Sequence, residues 1–264
     1  MIRSKFLDDQ RIAECRKAAS DLLRKYHIES PEAIDVETVA WLRGKLSVKT
    51  GGVSGAEGRL VATAEHGGVI RVAPTSHEGR RRFTIAHEIG HFVLHQQSAI
   101  DRTTLRKDFT VWTKASEEAE ANYFAAELLM PAYMFREKCV GVPSIKLLDS
   151  LATEFRTSLL ATAFQYWEYT AEPVALVLSE GHEMQSFRPF KEGWPRIRFG
   201  EIHKHSAAGE RLDGKSGDSG RMVRTPAYAW LEGFDRSDKD IMEDSIYLEY
   251  YDRTITLLWI DQPL

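Results

Sequence analysis

The stretch that decides the fold reads RRFTIAHEIGHFVLH at residues 81–95, and EEAEANYFAAELLMP follows it at residues 117–131. In the first segment His87 and His91 are four residues apart, so a helix would carry both on one face, one turn apart. Both imidazoles could then reach a single metal ion. Glu88 lies beside the first histidine, where its carboxylate could take a proton from a water molecule activated by that ion. The pattern predicts metal-assisted hydrolysis.

Apolar residues surround this motif, which predicts a buried helix. They are Phe83, Ile85, Ala86, Ile89, Phe92, Val93 and Leu94. A buried ionisable side chain needs a partner, because leaving it unpaired away from water costs free energy. Two histidines and a glutamate in such a helix therefore favour a metal site over a chance match to the pattern.

A catalytic zinc site of this type needs a third protein ligand, and three sources compete. His95 would lie two turns, or ~12 Å, along the helix from His87, too far for one ion with bonds of ~2 Å, so we interpret it as structural. The metzincin pattern requires a glycine and a histidine where this chain has Leu94 and Gln97. The remaining source is the acidic start of the second segment, with Glu117, Glu118 and Glu120. Asn122, further along the same helix, could support a ligand by a hydrogen bond.

Together the two segments resemble the ImmA/IrrE family of metallopeptidases. That family pairs its metal-binding helix with a second helix of the pattern Glu-x-x-Ala-Asn-x-Phe-Ala-x-x-Leu-Leu-x-Pro, which residues 118–131 match. The resemblance covers residues 10–170, and beyond them it is weak. The metal ligands that it implies are His87, His91 and Glu118, and the general base that it implies is Glu88.

The resemblance also implies a function, a zinc-dependent endopeptidase that cleaves a helix-turn-helix transcriptional repressor in a stress, DNA-damage or mobile-element response. The chain has no recognisable helix-turn-helix, so we expect the repressor to be a separate protein encoded nearby. Zn²⁺ is the expected ion, with Mn²⁺ as an alternative, because nitrogen and oxygen ligands select weakly between them. The alternative function is a metal-stabilised, non-catalytic sensor or binding module that regulates transcription. Glu88 favours the enzyme, because a structural zinc site needs no general base.

The composition is that of an ordinary globular protein, with 264 residues, 43% of them hydrophobic and 28% charged. These values exclude a disordered chain, a collagen-like chain and a coiled-coil rod. The net charge of −4 provides no overall attraction to nucleic acid. Two distant cysteines indicate a reducing compartment, and the charged N-terminus has no apolar core. We therefore expect a cytoplasmic protein without a membrane segment.

Residues 1–170 are expected to form an α+β zinc metallopeptidase domain, mainly helical and zincin-like, with a small antiparallel sheet. Long helices are predicted over residues 79–96 and 116–130. The predicted strands are Leu46–Lys49, Leu60–Ala64 and Val69–Ala73, joined as a meander by glycine-rich turns. Arg80, Arg81 and Arg82 are interpreted as a solvated charge run at a helix start, in preference to a substrate-binding role.

Residues 171–264 are expected to form a smaller regulatory or sensor domain with an α/β or β-rich fold, for which a GAF-like domain is one option. The predicted strands are Val174–Leu178, Met184–Phe187, Ile246–Tyr251 and Ile255–Ile260. Residues 188–224 hold nine Lys/Arg against five Asp/Glu, with interleaved aromatic residues. Such a stretch can bind single-stranded nucleic acid, but a polar β-domain with a basic loop and its own core aromatic residues is the preferred interpretation of the pattern. By analogy with the family, single-stranded DNA is the activator that we expect.

Overall fold

A computed structural model describes residues 7–53, 56–63, 66–75, 77–95, 101–105, 116–213, 221–235 and 238–264. The chain forms two compact units, and each is built from two pieces of sequence. The first unit comprises Met1–Glu137 and Ala152–Ser158, and the second comprises Lys138–Leu151 and Leu159–Leu264. Whereas the sequence predicts a single boundary near residue 171, the chain passes between the units three times. The division into a peptidase domain and a regulatory domain at that residue stays a prediction.

The first unit is mainly helical. Its helices are α1 (Asp9–Lys25), α2 (Val36–Gly44), α3 (Glu78–Leu94), α4 (Ser116–Leu129) and the short α5 (Ala132–Phe135). Helix α2 begins after Asp35, whose side chain accepts hydrogen bonds from the backbone N–H groups of Glu37 and Thr38. Helix α3 is buried along most of its length, as its apolar sequence predicts.

The sheet of the first unit contains β1 (Leu46–Thr50), β2 (Ala56–Thr63), β3 (Gly67–Val72) and β4 (Asp101–Leu105). Its strand order is β1-β3-β2-β4, so the predicted antiparallel meander is wrong in one respect. Strand β2 pairs antiparallel with β3 on one side and with β4, a strand that was not predicted, on the other. Because β4 occupies the free edge of β2, β1 pairs instead with the far edge of β3, in parallel.

The start of α3 lies in the core, which corrects the interpretation of the arginine run. Arg80 is 3% exposed and binds Glu57 of β2 through two contacts, Nε–Oε2 at 2.9 Å and Nη2–Oε1 at 2.6 Å. Arg82 is 4% exposed and donates to the carbonyl oxygen of Ile34. Two of the three arginines are therefore buried, and each binds a partner outside α3, since a charge inside a protein needs a partner.

The second unit contains α6 (Ile145–Phe155) in part, α7 (Leu159–Tyr169), α8 (Ala207–Leu212) and a five-stranded antiparallel sheet. The strands are β5 (Val174–Glu180), β6 (Glu183–Arg188), β7 (Val223–Pro226), β8 (Asp240–Leu248) and β9 (Arg253–Trp259), in the order β6-β5-β9-β8-β7. Trp230, fully buried, lies in the core of this unit. The predicted β-rich character is confirmed, while the GAF-like option stays a prediction.

The predicted strand Ile246–Tyr251 is wrong at its end, because Glu249–Tyr251 form a 3-10 turn. The turn leads into Asp252, which adopts a left-handed backbone conformation with φ 52° and so redirects the chain into β9. Strand β7 was not predicted, since its four residues carry no alternating pattern. In the part of the chain that the structure describes, no helix is long and apolar enough to span a membrane.

Candidate metal centre

Helices α3 and α4 approach closely at Gly90, the fourth residue of the histidine motif. A Cβ atom at this position would lie 3.1 Å from Ala121 Cα and 3.1 Å from Phe124 Cδ1. Any larger residue would therefore push the helices apart. Because the helices touch here, side chains one turn away on α4 reach the histidines of α3.

Three side chains converge beside this contact. The Nε2 atoms of His87 and His91 are 3.0 Å apart. Glu118 of α4 places Oε2 at 3.1 Å from His87 Nε2 and Oε1 at 3.2 Å from His91 Nε2. Both histidines are fully buried, whereas the glutamate side chain is 25% exposed. One ligand atom from each residue therefore points to a common position that is open on the glutamate side.

This cluster fits a metal ion. The ligand atoms of a tetrahedral zinc ion with bonds of ~2 Å lie about 3.3 Å apart, close to the separations in the cluster. Among the described residues, the group that could hold a metal ion is His87, His91 and Glu118. The other acidic residues considered for the third position, Glu117 and Glu120, lie outside it. The donor set of two imidazoles and one carboxylate suits Zn²⁺ and leaves a coordination position for water or substrate.

The protonation of the cluster also suits a metal ion. Burial lowers the pKa of His91 to about 4, so this imidazole is neutral at pH 7. Burial alone would raise the pKa of Glu118, but hydrogen bonds from both histidines hold it well below its usual range. For His87, burial lowers the pKa, yet the hydrogen bond to Glu118 and the charge of Glu88 together raise it. The three side chains are held together here by protons between the imidazole nitrogens and the carboxylate. A bound cation would displace those protons and hold the same atoms together.

Asn122 lies one turn after Glu118 on α4 and contacts the other helix. Its Oδ1 atom is 2.9 Å from His87 Nδ1, and its side chain is buried. The imidazole can therefore donate from Nδ1 to the amide oxygen while Nε2 stays available to a metal ion. The structure thus places Asn122 against His87 and not against the glutamate of its own helix, and its support of a metal ligand stays a prediction.

Glu88 is fully buried and packs against β2. A Cβ atom at Gly58 would lie 2.6 Å from Glu88 Oε1 and 2.6 Å from Thr84 Cγ2. Arg80, Thr84 and Glu88 follow at intervals of four, so one face of α3 lies along this strand. The ion pair between Arg80 of α3 and Glu57 of β2 holds the strand against the helix at the residue before Gly58. Sequence reasoning missed Glu57 and Gly58, because no local pattern connects β2 to α3.

His95 lies outside the ligand group but next to it. Its Nδ1 atom is 3.2 Å from His91 Nδ1, and its Nε2 atom is 2.8 Å from Glu120 Oε2. Glu120 also accepts a hydrogen bond of 2.5 Å from Arg11 of α1. Burial would raise the pKa of Glu120, but the hydrogen bonds from Arg11 and His95 lower it below its usual value. The carboxylate is therefore ionised at pH 7.

The basic, aromatic stretch of the second unit is only partly exposed. Phe190 belongs to the core, whereas Trp194 is 41% and Phe199 is 56% exposed. The rings of Phe187 and Phe199 are 5.7 Å apart. Among the basic residues, Arg198 pairs with Asp235 at 2.5 Å, which reduces the net positive charge of this surface. Residues 214–220 of the stretch lie outside the described residues.

Comparison with known proteins agrees with the geometry of the helix pair. A family model described as Peptidase_M78, IrrE N-terminal-like domain, matches residues 48–165, a range that includes α3 and α4. Residues 48–165 are therefore similar to an IrrE N-terminal-like domain. The resemblance noted in the sequence is thereby confirmed for this part of the chain. Similarity to this domain family supports a metallopeptidase-type function in the regulation of transcription factors.

A solved structure extends the fold comparison beyond the IrrE N-terminal-like domain. A Mycobacterium tuberculosis transcriptional regulator superposes with a TM-score of 0.61 at 14% sequence identity, over 98% of this chain and 79% of that chain. At this identity the similarity establishes the fold alone. No curated protein matches the chain.

Proposed function

We propose that this chain is a zinc-dependent endopeptidase that cleaves a helix-turn-helix transcriptional repressor. The observation that carries the proposal is the convergence of His87, His91 and Glu118 next to a buried Glu88. We propose Zn²⁺ as the ion, with Mn²⁺ as the alternative that the same donor atoms accept. We also propose that the protein acts in the cytoplasm, on a repressor encoded nearby in a stress, DNA-damage or mobile-element response.

Each residue of the helix pair has a role in this proposal. A bound Zn²⁺ would lower the pKa of a water molecule and polarise the scissile carbonyl group. Glu88 follows His87 in the helix and points about 100° around the axis from it, so it could reach a water molecule on a bound ion without being a ligand. Its carboxylate takes a proton from the attacking water and delivers it to the departing amine. Asn122 holds the ring of His87 by the 2.9 Å hydrogen bond.

The competing function is a metal-stabilised module that regulates transcription without proteolysis. A structural zinc site normally has four protein ligands, whereas the cluster described here has three. A non-catalytic module also needs no general base, which is the role proposed for the buried carboxylate of Glu88. Both observations favour the peptidase, and the role of Glu88 separates the two functions experimentally.

For the second unit we propose binding of single-stranded DNA as the activating signal. Trp194 and Phe199 are exposed aromatic residues on which bases could stack. Lys204 and Arg196 are exposed basic residues of the same stretch. Binding of a single-stranded oligonucleotide to the full chain should weaken steeply as salt rises, because phosphate contacts release counterions. Absence of binding at low salt would remove DNA from the proposal and leave a small molecule or protein as the signal.

Glu88→Gln tests the peptidase directly. The variant keeps the size of the side chain but lacks the basic carboxylate, so it should bind zinc and repressor and fail to cleave. Removal of a general base typically lowers the rate by ~10²–10⁴-fold. Wild-type and variant chains are co-expressed with the neighbouring repressor, with and without DNA damage, and the repressor length is followed by mass spectrometry.

Cleavage by the wild-type chain alone supports the peptidase with Glu88 as base. Equal cleavage by both chains would show that another group is the base. Cleavage by neither chain, combined with equal effects of both on transcription, would favour the non-catalytic module.

A further inference from the structure

Four side chains form a continuous path from the metal cluster to the first helix of the chain. The path starts at His91 on α3 and continues one turn along the same helix to His95, with 3.2 Å between their Nδ1 atoms. It crosses to α4 at Glu120, 2.8 Å from His95 Nε2. It ends on α1 at Arg11, 2.5 Å from the same carboxylate. His95 and Glu120 are 9% and 6% exposed, so the path runs through the interior.

The donors and acceptors of this path fit one arrangement. A neutral imidazole has a hydrogen on only one of its two ring nitrogens. If His91 offers Nε2 to a metal ion, that hydrogen is therefore on Nδ1. That hydrogen is donated to Nδ1 of His95. The hydrogen of His95 then lies on Nε2, which donates to Glu120, and Arg11 donates to the same carboxylate. Every contact pairs one donor with one acceptor.

The arrangement has a counterpart on the other histidine. Nδ1 of His87 donates to Asn122, whose amide oxygen is at 2.9 Å. Both histidines of the cluster therefore direct Nε2 to the common position and Nδ1 to a buried partner. A histidine ligand that lacks such a partner is free to change tautomer and to rotate, which weakens the metal site.

We propose that His95, Glu120 and Arg11 are positioning residues that fix the tautomer and ring orientation of His91 for metal binding. The proposal rests on the metal site proposed above. It assigns a role to His95, the third histidine of the segment, which cannot reach the ion, and to Glu120, the next acidic residue after Glu118. Loss of such a partner typically lowers metal affinity by ~10–100-fold.

Two substitutions of His95 separate positioning from packing. Asn places its amide oxygen where Nδ1 of the imidazole stands and so keeps an acceptor for His91, whereas Leu fills similar space without one. We expect His95→Leu to bind zinc ~10–100-fold more weakly than the wild-type chain, and His95→Asn to recover most of that loss. Glu120→Gln keeps an acceptor but removes the charge, and its affinity should lie between these values. Glu117→Gln, on the same helix but outside the path, is the matched control and should bind as wild type.

The measurements use the full chain. Zinc dissociation constants come from competition with a chromophoric chelator, and the visible spectrum of the Co²⁺-loaded protein reports the geometry of the site. Thermal unfolding of the metal-free protein shows whether each variant folds. If the role of His95 is only structural, both His95 variants should lose stability to the same extent, while their zinc affinity and cobalt spectrum stay unchanged.

The outcomes are distinct from those that test the peptidase. Folded His95→Leu and Glu120→Gln with wild-type zinc affinity would overturn the positioning role. If His95→Leu does not fold, Glu120→Gln decides the question by the same measurements. A wild-type chain that binds zinc but cleaves no repressor would contradict the peptidase and leave this proposal standing. A wild-type chain that binds neither zinc nor cobalt would end both.

Discussion

The five-stranded sheet and the α3–α4 helix pair each hold a carboxylate away from bulk water, Glu243 completely and Glu118 in part, but they give it different partners. In the sheet, Glu243 accepts hydrogen bonds from the backbone N–H groups of Ala207 and Ala208 and from Trp230 Nε1. In the helix pair, the ligand atoms of Glu118 and two imidazoles point to one position. A buried carboxylate surrounded by N–H donors holds the fold, whereas one that converges with other ligand atoms can hold a metal ion. The two carboxylates therefore differ in their partners as well as in their burial.

The largest effect is expected from removing the histidines of the helix pair. The double substitution His87→Ala/His91→Ala deletes two of the three proposed zinc ligands, so we expect the chain to lose stoichiometric zinc. Metal content after dialysis, measured by elemental mass spectrometry, checks this. Retention of one zinc ion per chain by the double variant would show that the cluster is not the metal site. Glu243→Gln is the matched control, since it alters a buried carboxylate of the sheet and should leave the zinc content unchanged.

The second effect is expected in the sheet. Glu243→Ala leaves three N–H donors without their acceptor, two of them buried, and each buried donor without an acceptor costs ~1–3 kcal/mol. We expect the free energy of unfolding to fall by about 3 kcal/mol, with no change in zinc affinity. Urea unfolding of the full chain measures the first quantity and chelator competition the second. Glu183→Ala, exposed on β6, should change stability by less than ~0.5 kcal/mol. A Glu243→Ala chain with weakened zinc binding would erase the distinction between the regions.

The helix pair was largely predictable because its signals are local. The spacing of His87 and His91 and the apolar residues around them predict a buried helix with two ligands on one face. The third residue of the cluster was harder to predict, because acidic residues at 117, 118 and 120 all fit the chemistry and only the resemblance to a family selected Glu118. Asn122 was predicted to support a ligand, but not which one, since that depends on how the two helices cross.

What could not be predicted depends on contacts between distant residues. Arg80 finds Glu57 across 23 positions, and nothing near either residue indicates a buried pair. The parallel pairing of β1 with β3 follows from β4, whose place at the edge of β2 is set by the tertiary structure. For α3, β1 and β3 the local pattern predicted the correct element. The errors concerned the residues or strands with which these elements pair.

The third prediction asks whether packing holds Glu88 in place. Gly58→Ala puts a methyl group within 2.6 Å of Glu88 Oε1 and of Thr84 Cγ2, so the carboxylate must shift. Displacement of a catalytic group by about 1 Å can cost ~10²-fold in rate, and we expect a loss of ~10–100-fold in repressor cleavage with zinc content retained. Val61→Ala, at a 43% exposed position on the same strand, is the control. Full activity of Gly58→Ala would mean that the position of Glu88 is not set by β2.

The smallest effect concerns the pH dependence of Asp244, the second buried carboxylate of β8. Burial raises its pKa above the usual value, and this outweighs the hydrogen bond from Ile145 N–H and the charge of Arg211, both of which lower it. The direction is opposite to that of Glu118 and Glu120, whose pKa values are lowered by imidazole and guanidinium partners.

A raised pKa in the folded state means that the folded chain holds this proton more tightly than the unfolded chain. The stabilisation is complete below the unfolded pKa and is lost as pH rises through the folded value. Asp244→Asn keeps the acceptor for Ile145 and cannot ionise, so its stability relative to wild type should improve as pH rises from 4 to 7. Urea unfolding across this range measures the difference, and Asp240→Asn, exposed on the same strand, should show no such trend. If Asp244→Asn instead lost stability relative to wild type as pH rose, the carboxylate would be held ionised, and the sheet would resemble the helix pair after all.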